Sequence, residues 1–303
     1  MHQIVQLFLI LLMGYAIVKA KLLRPEDSRS ISVIMVYAIT PCVIINAFLV
    51  DYTPQVMAGL VYSFILALAA HILLLLLDRV FKALFHLDVV ERAAVIYTNA
   101  GILVIPLVTA LLGQEYVIYS CAFVVVQQIL IWTHCRSMLR GETGFDWRKL
   151  LLNVNIIAIV VGMALFLLPV QLPSVITGTL STASATFGPL GMLLAGMVIA
   201  DTPLLKLFTT PRNYIAAILR LLVCPVITVL LLRAVGAAGW IADGKNILMT
   251  VYLACITPAC ATVTSLAQLY DCDAAHSSAL YVLTTLLSMI TMPVMIGVFD
   301  VLI

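Results

Sequence analysis

Charge is what this sequence has least of. Of 303 residues only 10% are Asp, Glu, Lys or Arg, while 64% are hydrophobic. Soluble domains carry about 25% charged residues, so a water-facing surface cannot be covered and a soluble fold is excluded. The 16 basic and 14 acidic residues form no long run of one sign and leave a net charge of +2. That balance excludes a nucleic-acid partner and an acidic tail. Cysteine is sparse: seven, an odd number, with no CxxC, so neither a disulfide framework nor a metal site is expected. Cys42, Cys121, Cys224, Cys255 and Cys260 lie inside apolar stretches and read as small buried hydrophobes. HExxH, GxSxG and GxxxxGK(S/T) are all missing. Their absence argues against a zinc protease, a serine hydrolase and ATP coupling within this chain, and no cofactor is expected.

What is present is hydrophobic length. Ten apolar segments lie near 3–20, 30–50, 55–78, 92–112, 116–135, 150–168, 173–200, 212–234, 246–269 and 275–299. Each has about the 20 residues that a helix needs to cross a bilayer. Runs such as Ile72 to Leu77 do not alternate with period two, which excludes a membrane barrel and predicts an all-α polytopic membrane protein. Segment one has no basic residue before its apolar run; Lys19, Lys21, Arg24 and Arg29 follow it, so it reads as a retained helix and not a signal peptide.

Those basic residues set the orientation. Threading ten spans places Lys19, Lys21, Arg24, Arg29, Arg79, Lys82, Arg92, Arg136, Arg140, Arg148, Lys149, Lys206, Arg212 and Arg220 on or near one side, and only Arg233 and Lys245 on the other. The positive side is cytoplasmic, so both termini are expected on the opposite face. The longest polar connection, 136–149, is then cytoplasmic and divides the chain into five-span halves, 1–135 and 150–303. An odd number of spans per half gives an inverted repeat, a plan common in secondary transporters. Matching features support it: YAITPCVII around Pro41 against ATFGPLGML around Pro189, and segment four against segment nine.

Segments four and nine carry helix-weakening residues near mid-membrane: Asn99, Gly101 and, further on, Pro106 in four; Thr257, Pro258, Thr262 and Thr264 in nine. Proline removes a backbone donor and clashes with the preceding turn. Unwound backbone at membrane depth survives only where protein or a water-filled cavity satisfies it, and two such breaks in corresponding places point to a transport site. The expectation is that helices four and nine break and cross, with Gly101, Pro106 and Pro258 at the breaks. Two half-helix N-termini would then face one volume, each with about half a positive charge, and hold a carboxylate without Lys or Arg.

In order along the chain, GYAIVKAKLL from Gly14, YAITP from Tyr37, NAGILVIPL from Asn99, QILIW from Gln128, PACATVTSLAQLYD from Pro258, and Pro293 resemble the motifs of the auxin efflux carrier family, in its prokaryotic branch. The resemblance spans nearly the whole chain. It implies an elevator-type carrier of small organic anions, mono- or dicarboxylates, in a bacterial cytoplasmic membrane. Helices one, two, six and seven would form a scaffold that dimerises, and helices three to five and eight to ten a moving transport domain. It places Asn99 on the substrate carboxylate, Pro258 at the crossover and Gln128 in the pocket, with Thr98, Gly101, Thr257, Ala259 and Thr262 as neighbouring substrate-binding residues. Thr98 stands where plant members have Pro, and His71 where they have an acidic residue in segment three.

His71, in mid-span, is either a proton carrier, its free pKa being about 6.5, or a neutral group bonded to its surroundings. His134 and His276 read as solvated, and Asn46, Asn153 and Asn155 as interhelical hydrogen-bonding residues. The small-residue stretch Thr177 to Gly196 in segment seven reads as packing against segment two or a second subunit. An anion channel is the alternative to a carrier, and a membrane enzyme a more distant one.

Overall fold

The structure is a computed structural model describing residues 2–141, 151–168, 170–201 and 204–303. Among these, every regular element is a helix, apart from one isolated β-bridge. The order is α1 (His2–Lys19), α2 (Asp27–Ala47), α3 (Pro54–Phe85), α4 (Val89–Ile96), α5 (Ala100–Leu111), α6 (Gln114–Arg140), α7 (Val154–Leu167), α8 (Ser174–Asp201), α9 (Leu204–Thr209), α10 (Pro211–Ala234), α11 (Gly244–Ile256), α12 (Ala261–Leu269) and α13 (Ala274–Leu302). Six of them, α2, α3, α6, α8, α10 and α13, are long and apolar enough to cross a membrane, and α1, α5, α7 and α11 are apolar but shorter.

The first part of the expected central connection, Arg136–Arg140, is helical. Helix α6 continues through Arg140 and stops at Gly141, whose φ of +69° suits a residue without Cβ. The remainder of the expected 136–149 loop, with Arg148 and Lys149, lies outside the described residues.

Helix starts follow local chemistry. The Thr53 hydroxyl accepts from the Val56 amide at 3.2 Å with Pro54 in the first helical position. Asp88 and Glu91 form a reciprocal capping box at α4. Helices α2, α6 and α10 each contain one π-turn, at Met35–Ile39, Ile131–Cys135 and Leu219–Val223. Two of these precede a proline, Pro41 and Pro225, whose missing N–H and ring disturb the carbonyl one turn earlier. At the first, the Thr40 hydroxyl donates to the Met35 carbonyl at 2.7 Å.

The exterior is inside-out relative to a soluble protein. Val61, Ile65, Leu68, Ile72, Leu76 and Val80 form a continuous exposed stripe on α3, while Ser63, His71 and Asp78 on the same helix are buried. That polarity suits lipid outside and polar groups within.

Helix α8 packs chiefly along α1 and also against the C-terminal half of α2. The closest approach differs from the expectation of segment two or a second subunit: a Cβ at Gly14 would collide with the Leu193 carbonyl, and one at Gly196 with the Leu11 carbonyl, so α1 and α8 touch backbone to backbone. The Ser174–Thr186 part of the small-residue stretch is mostly exposed. Gly162 lets α7 close onto α2, since a Cβ there would stand 2.6 Å from the Phe48 ring.

One end of the bundle is tied by ion pairs. Arg92 meets Asp78 at 2.7 Å, and Arg212 grips the fully buried Glu91 with both ends of its fork at 2.7 Å. His276 lies 3.8 Å from Glu91, and Asp88, Glu91 and His276 bring ligand-type atoms within 4.8 Å of one another. No such cluster was expected. It arises because the starts of α4 and α13 meet, and Glu91 is already committed to Arg212 and the Asp88 cap. At the other end Tyr62 donates to the Ala237 carbonyl and Tyr116 to Asp243, both at 2.6 Å.

Candidate binding site at a helix crossover

Two interruptions meet inside the bundle. Helix α4 ends at Ile96 and α5 starts at Ala100; α11 ends at Ile256 and α12 starts at Ala261. Between them the extended residues run antiparallel. The Asn99 amide donates to the Pro258 carbonyl at 2.8 Å and the Cys260 amide to the Tyr97 carbonyl at 3.0 Å, closing a bridge between Thr98 and Ala259. Two stretches of unwound backbone thus satisfy each other where neither could do so alone.

Side chains complete the accounting. The Gln127 amide on α6 clamps Thr98, accepting from its N–H at 3.0 Å and its hydroxyl at 2.8 Å, and donating to its carbonyl at 2.8 Å. The Thr284 hydroxyl on α13 accepts from the Ala259 amide at 3.1 Å. Arg220, in the π-turn of α10, is completely buried. It donates to the carbonyls of Thr257 and Val95, each at 3.0 Å, and of Cys255.

Beside the bridge lies a cavity of about 510 Å³. Asn99, Gly101, Gln128 and Thr262 are in its wall, joined by Trp132 on α6, Asn155 on α7, Leu194 on α8 and the π-turn residues Met35, Val36 and Tyr37 of α2. The Ile102 amide bonds back to the Asn99 carbonyl at 3.2 Å and the Val263 amide to the Cys260 carbonyl at 3.1 Å, which leaves the amides of the first two residues of α5 and α12 without an intrahelical acceptor, and Gly101 and Thr262 put those turns in the wall. Asn99 holds the N-cap position of α5, yet its side chain makes no capping bond; Tyr281 is its hydrogen-bonding neighbour. Three other wall residues present buried polar atoms with no hydrogen-bond partner: Gln128 Oε1, Trp132 Nε1 and Asn155 Oδ1. Each is a buried polar group left unsatisfied beside the cavity, a cost that a ligand or water reaching it would relieve.

Several expected site residues take other places. Thr98, Thr257, Pro258 and Ala259 are not in the cavity wall; they form the bridge, where the Thr98 amide and carbonyl, the Thr257 and Pro258 carbonyls and the Ala259 amide are hydrogen-bonded. Gly101 and Pro106 do not make the break: both lie within α5, and the chain departs from helix earlier, at Tyr97 to Asn99. His71 is also outside the wall. Its Nδ1 bonds the Ala67 carbonyl at 2.7 Å, its ring lies 4.3 Å from that of Phe123, and its Nε2 is buried without a partner. His134, expected in solvent, bonds the Tyr97 hydroxyl at 2.8 Å. Arg220 is the largest departure. Counted from sequence as a membrane-side charge, it sits under the crossover, so the site is not without a basic residue after all.

A second cavity, of about 780 Å³, shares Ser32, Ile102 and Leu194 with the first and includes Arg29, Thr264, Ser265 and Tyr281. A third, of about 340 Å³ beside Asn46 and Gln114, shares no wall residue with the crossover cavity.

Residues 1–145 and 134–296 match the family described as membrane transport protein. The chain belongs to this family, that of the auxin efflux carriers. No curated protein matches the chain. Membership makes this auxin efflux carrier family protein a multi-pass membrane protein of a transporter family, and the crossover cavity is where its polar chemistry gathers. Sequence reasoning missed Gln127, Trp132, Asn155, Arg220, Tyr281 and Thr284. Only Arg220 left a signal, because a cation inside an apolar span is expensive and invites a functional reading.

Proposed function

We propose that this protein is a secondary transporter for a small organic anion, a mono- or dicarboxylate, bound in the crossover cavity. The observation that carries the reading is the antiparallel bridge, which turns the starts of α5 and α12 toward one cavity edged by the uncapped Asn99 side chain. Helix starts favour anions through their free amides and positive pole. Asn99 and those amides hold the carboxylate, and Gln128, Trp132 and Asn155 take the rest of the molecule. His71 supports Phe123, one turn before Gln127.

An elevator movement fits the composition of the wall. One side comes from α2, α7 and α8, the proposed dimerising scaffold with α1, and the other from α5, α6 and α12. The proposed plan has ten spans in two inverted halves, in a bacterial inner membrane with both termini outside. The cavity containing Arg29 adjoins the crossover cavity, and is the proposed cytoplasmic approach.

Reconstituted vesicles test the reading and separate it from a channel. A carrier saturates and exchanges labelled for unlabelled carboxylate against a concentration gradient. Asn99→Ala should abolish this exchange with normal expression; unchanged exchange in that variant removes Asn99 from the site.

A further inference from the structure

Arg220 has an unusual set of partners. Its three donor groups reach carbonyls at the ends of two different half-helices, Val95 in α4 and Cys255 with Thr257 at the end of α11. Among the described residues no carboxylate pairs with it. A buried cation without a counter-ion is costly, so its presence here needs a compensating role.

The charge balance supplies one. Breaking a helix creates a negative pole at the C-terminal end of one piece and a positive pole at the N-terminal start of the next, each of about half a charge. The two poles lie three or four residues apart and largely cancel, so two breaks alone give the crossover no net charge. Arg220 sits on both negative poles. One full positive charge offsets two half-charges, which leaves the positive starts of α5 and α12 to dominate in the cavity.

We propose that Arg220 is the residue that makes the crossover cavity select an anion over an uncharged molecule of the same shape. It does so from behind the helix ends, without touching the ligand, and is therefore a positioning residue. This inference rests on the crossover cavity being the substrate site.

The test uses the full chain in lipid nanodiscs and a panel of two- to six-carbon mono- and dicarboxylates. The tightest binder is compared with its uncharged amide. Wild-type protein should prefer the carboxylate by at least tenfold. Arg220→Lys keeps the charge and should keep most of that preference. Arg220→Gln should lose it, through weaker carboxylate binding with amide binding unchanged. Because glutamine leaves carbonyls unsatisfied and the variant can fail to fold, Cys224→Asp provides a second route. Cys224 lies one turn along α10 within electrostatic reach of Arg220, and an aspartate there gives the guanidinium a counter-ion while leaving Arg220 in place. It should also erase the preference. An intact preference in folded Arg220→Gln or in Cys224→Asp overturns the proposal, as does an equal loss of carboxylate and amide binding, which marks a purely structural role. Carboxylate binding that survives Asn99→Ala instead refutes the site, and wild-type protein that binds no carboxylate refutes both.

Discussion

The two helix breaks form one bridge but are held by different chemistry. The first, Tyr97 to Asn99, has no proline or glycine. It stays open because Gln127 satisfies both backbone groups of Thr98 and Pro258 accepts from Asn99. The second, Thr257 to Cys260, contains Pro258 and is held by a hydroxyl, Thr284, and by a cation, Arg220, which directs two of its three donor groups there and one to Val95 before the first break. One break is thus imposed by tertiary partners, and the other is partly written into the local chain. The first also supplies the cavity with a polar side chain, Asn99, where the second supplies Thr262 from the following turn. Similar backbone geometry therefore does not imply equivalent roles.

Losing a partner of the first break should hurt stability most. Gln127→Leu leaves the Thr98 amide and carbonyl buried without partners, at a cost of about 1–3 kcal/mol for each unsatisfied group. A lower melting temperature in nanodiscs is expected, and a melting temperature equal to wild type would show that the bridge does not need the clamp. Thr284→Val leaves one group of the second break, the Ala259 amide, buried without a partner, and should cost about 1–3 kcal/mol, against two such groups in Gln127→Leu. A larger loss than in Gln127→Leu would reverse the ranking of the two breaks.

Gln127 and Gln128 both line the cavity, but Gln127 is engaged by Thr98 while Gln128 keeps a buried oxygen without a partner. Gln128→Leu should leave the melting temperature within error and weaken carboxylate binding by about tenfold, roughly 1.4 kcal/mol. Binding equal to wild type would remove Gln128 from the site. Gly101 has nothing within 4 Å of where a Cβ would stand. Gly101→Leu should accordingly fold normally and fill the cavity, so that binding falls while thermal stability barely changes. A large loss of stability there would mean that α5 packs more tightly than its surroundings indicate.

How far the sequence could be read follows from the same contrast. Apolar runs with few charges were enough for the helical class, because lipid and core both favour them and length separates spans from connections. Pro258 flagged the second break, since proline acts locally. At the first break Asn99 was legible, but Gly101 and Pro106 pointed too far along: both fit inside α5, and the departure from helix depends on Gln127, 29 residues away from Thr98. Trp132 and Asn155 were not legible as cavity residues, because the fold must first bring α6 and α7 beside α5. Arg220 was visible as a charge inside an apolar run, but counting it with membrane-side residues hid the carbonyls that draw it inward.

Whether the crossover cavity holds an anion is tested most directly by solving the protein with a bound carboxylate carrying a heavy atom, such as a bromobenzoate. The carboxylate should lie within hydrogen-bond distance of the Asn99 side chain and the first-turn amides of α5 and α12. A ligand found only elsewhere, in the cavity beside Arg29 or the one beside Asn46, with the crossover cavity empty, would contradict the assignment.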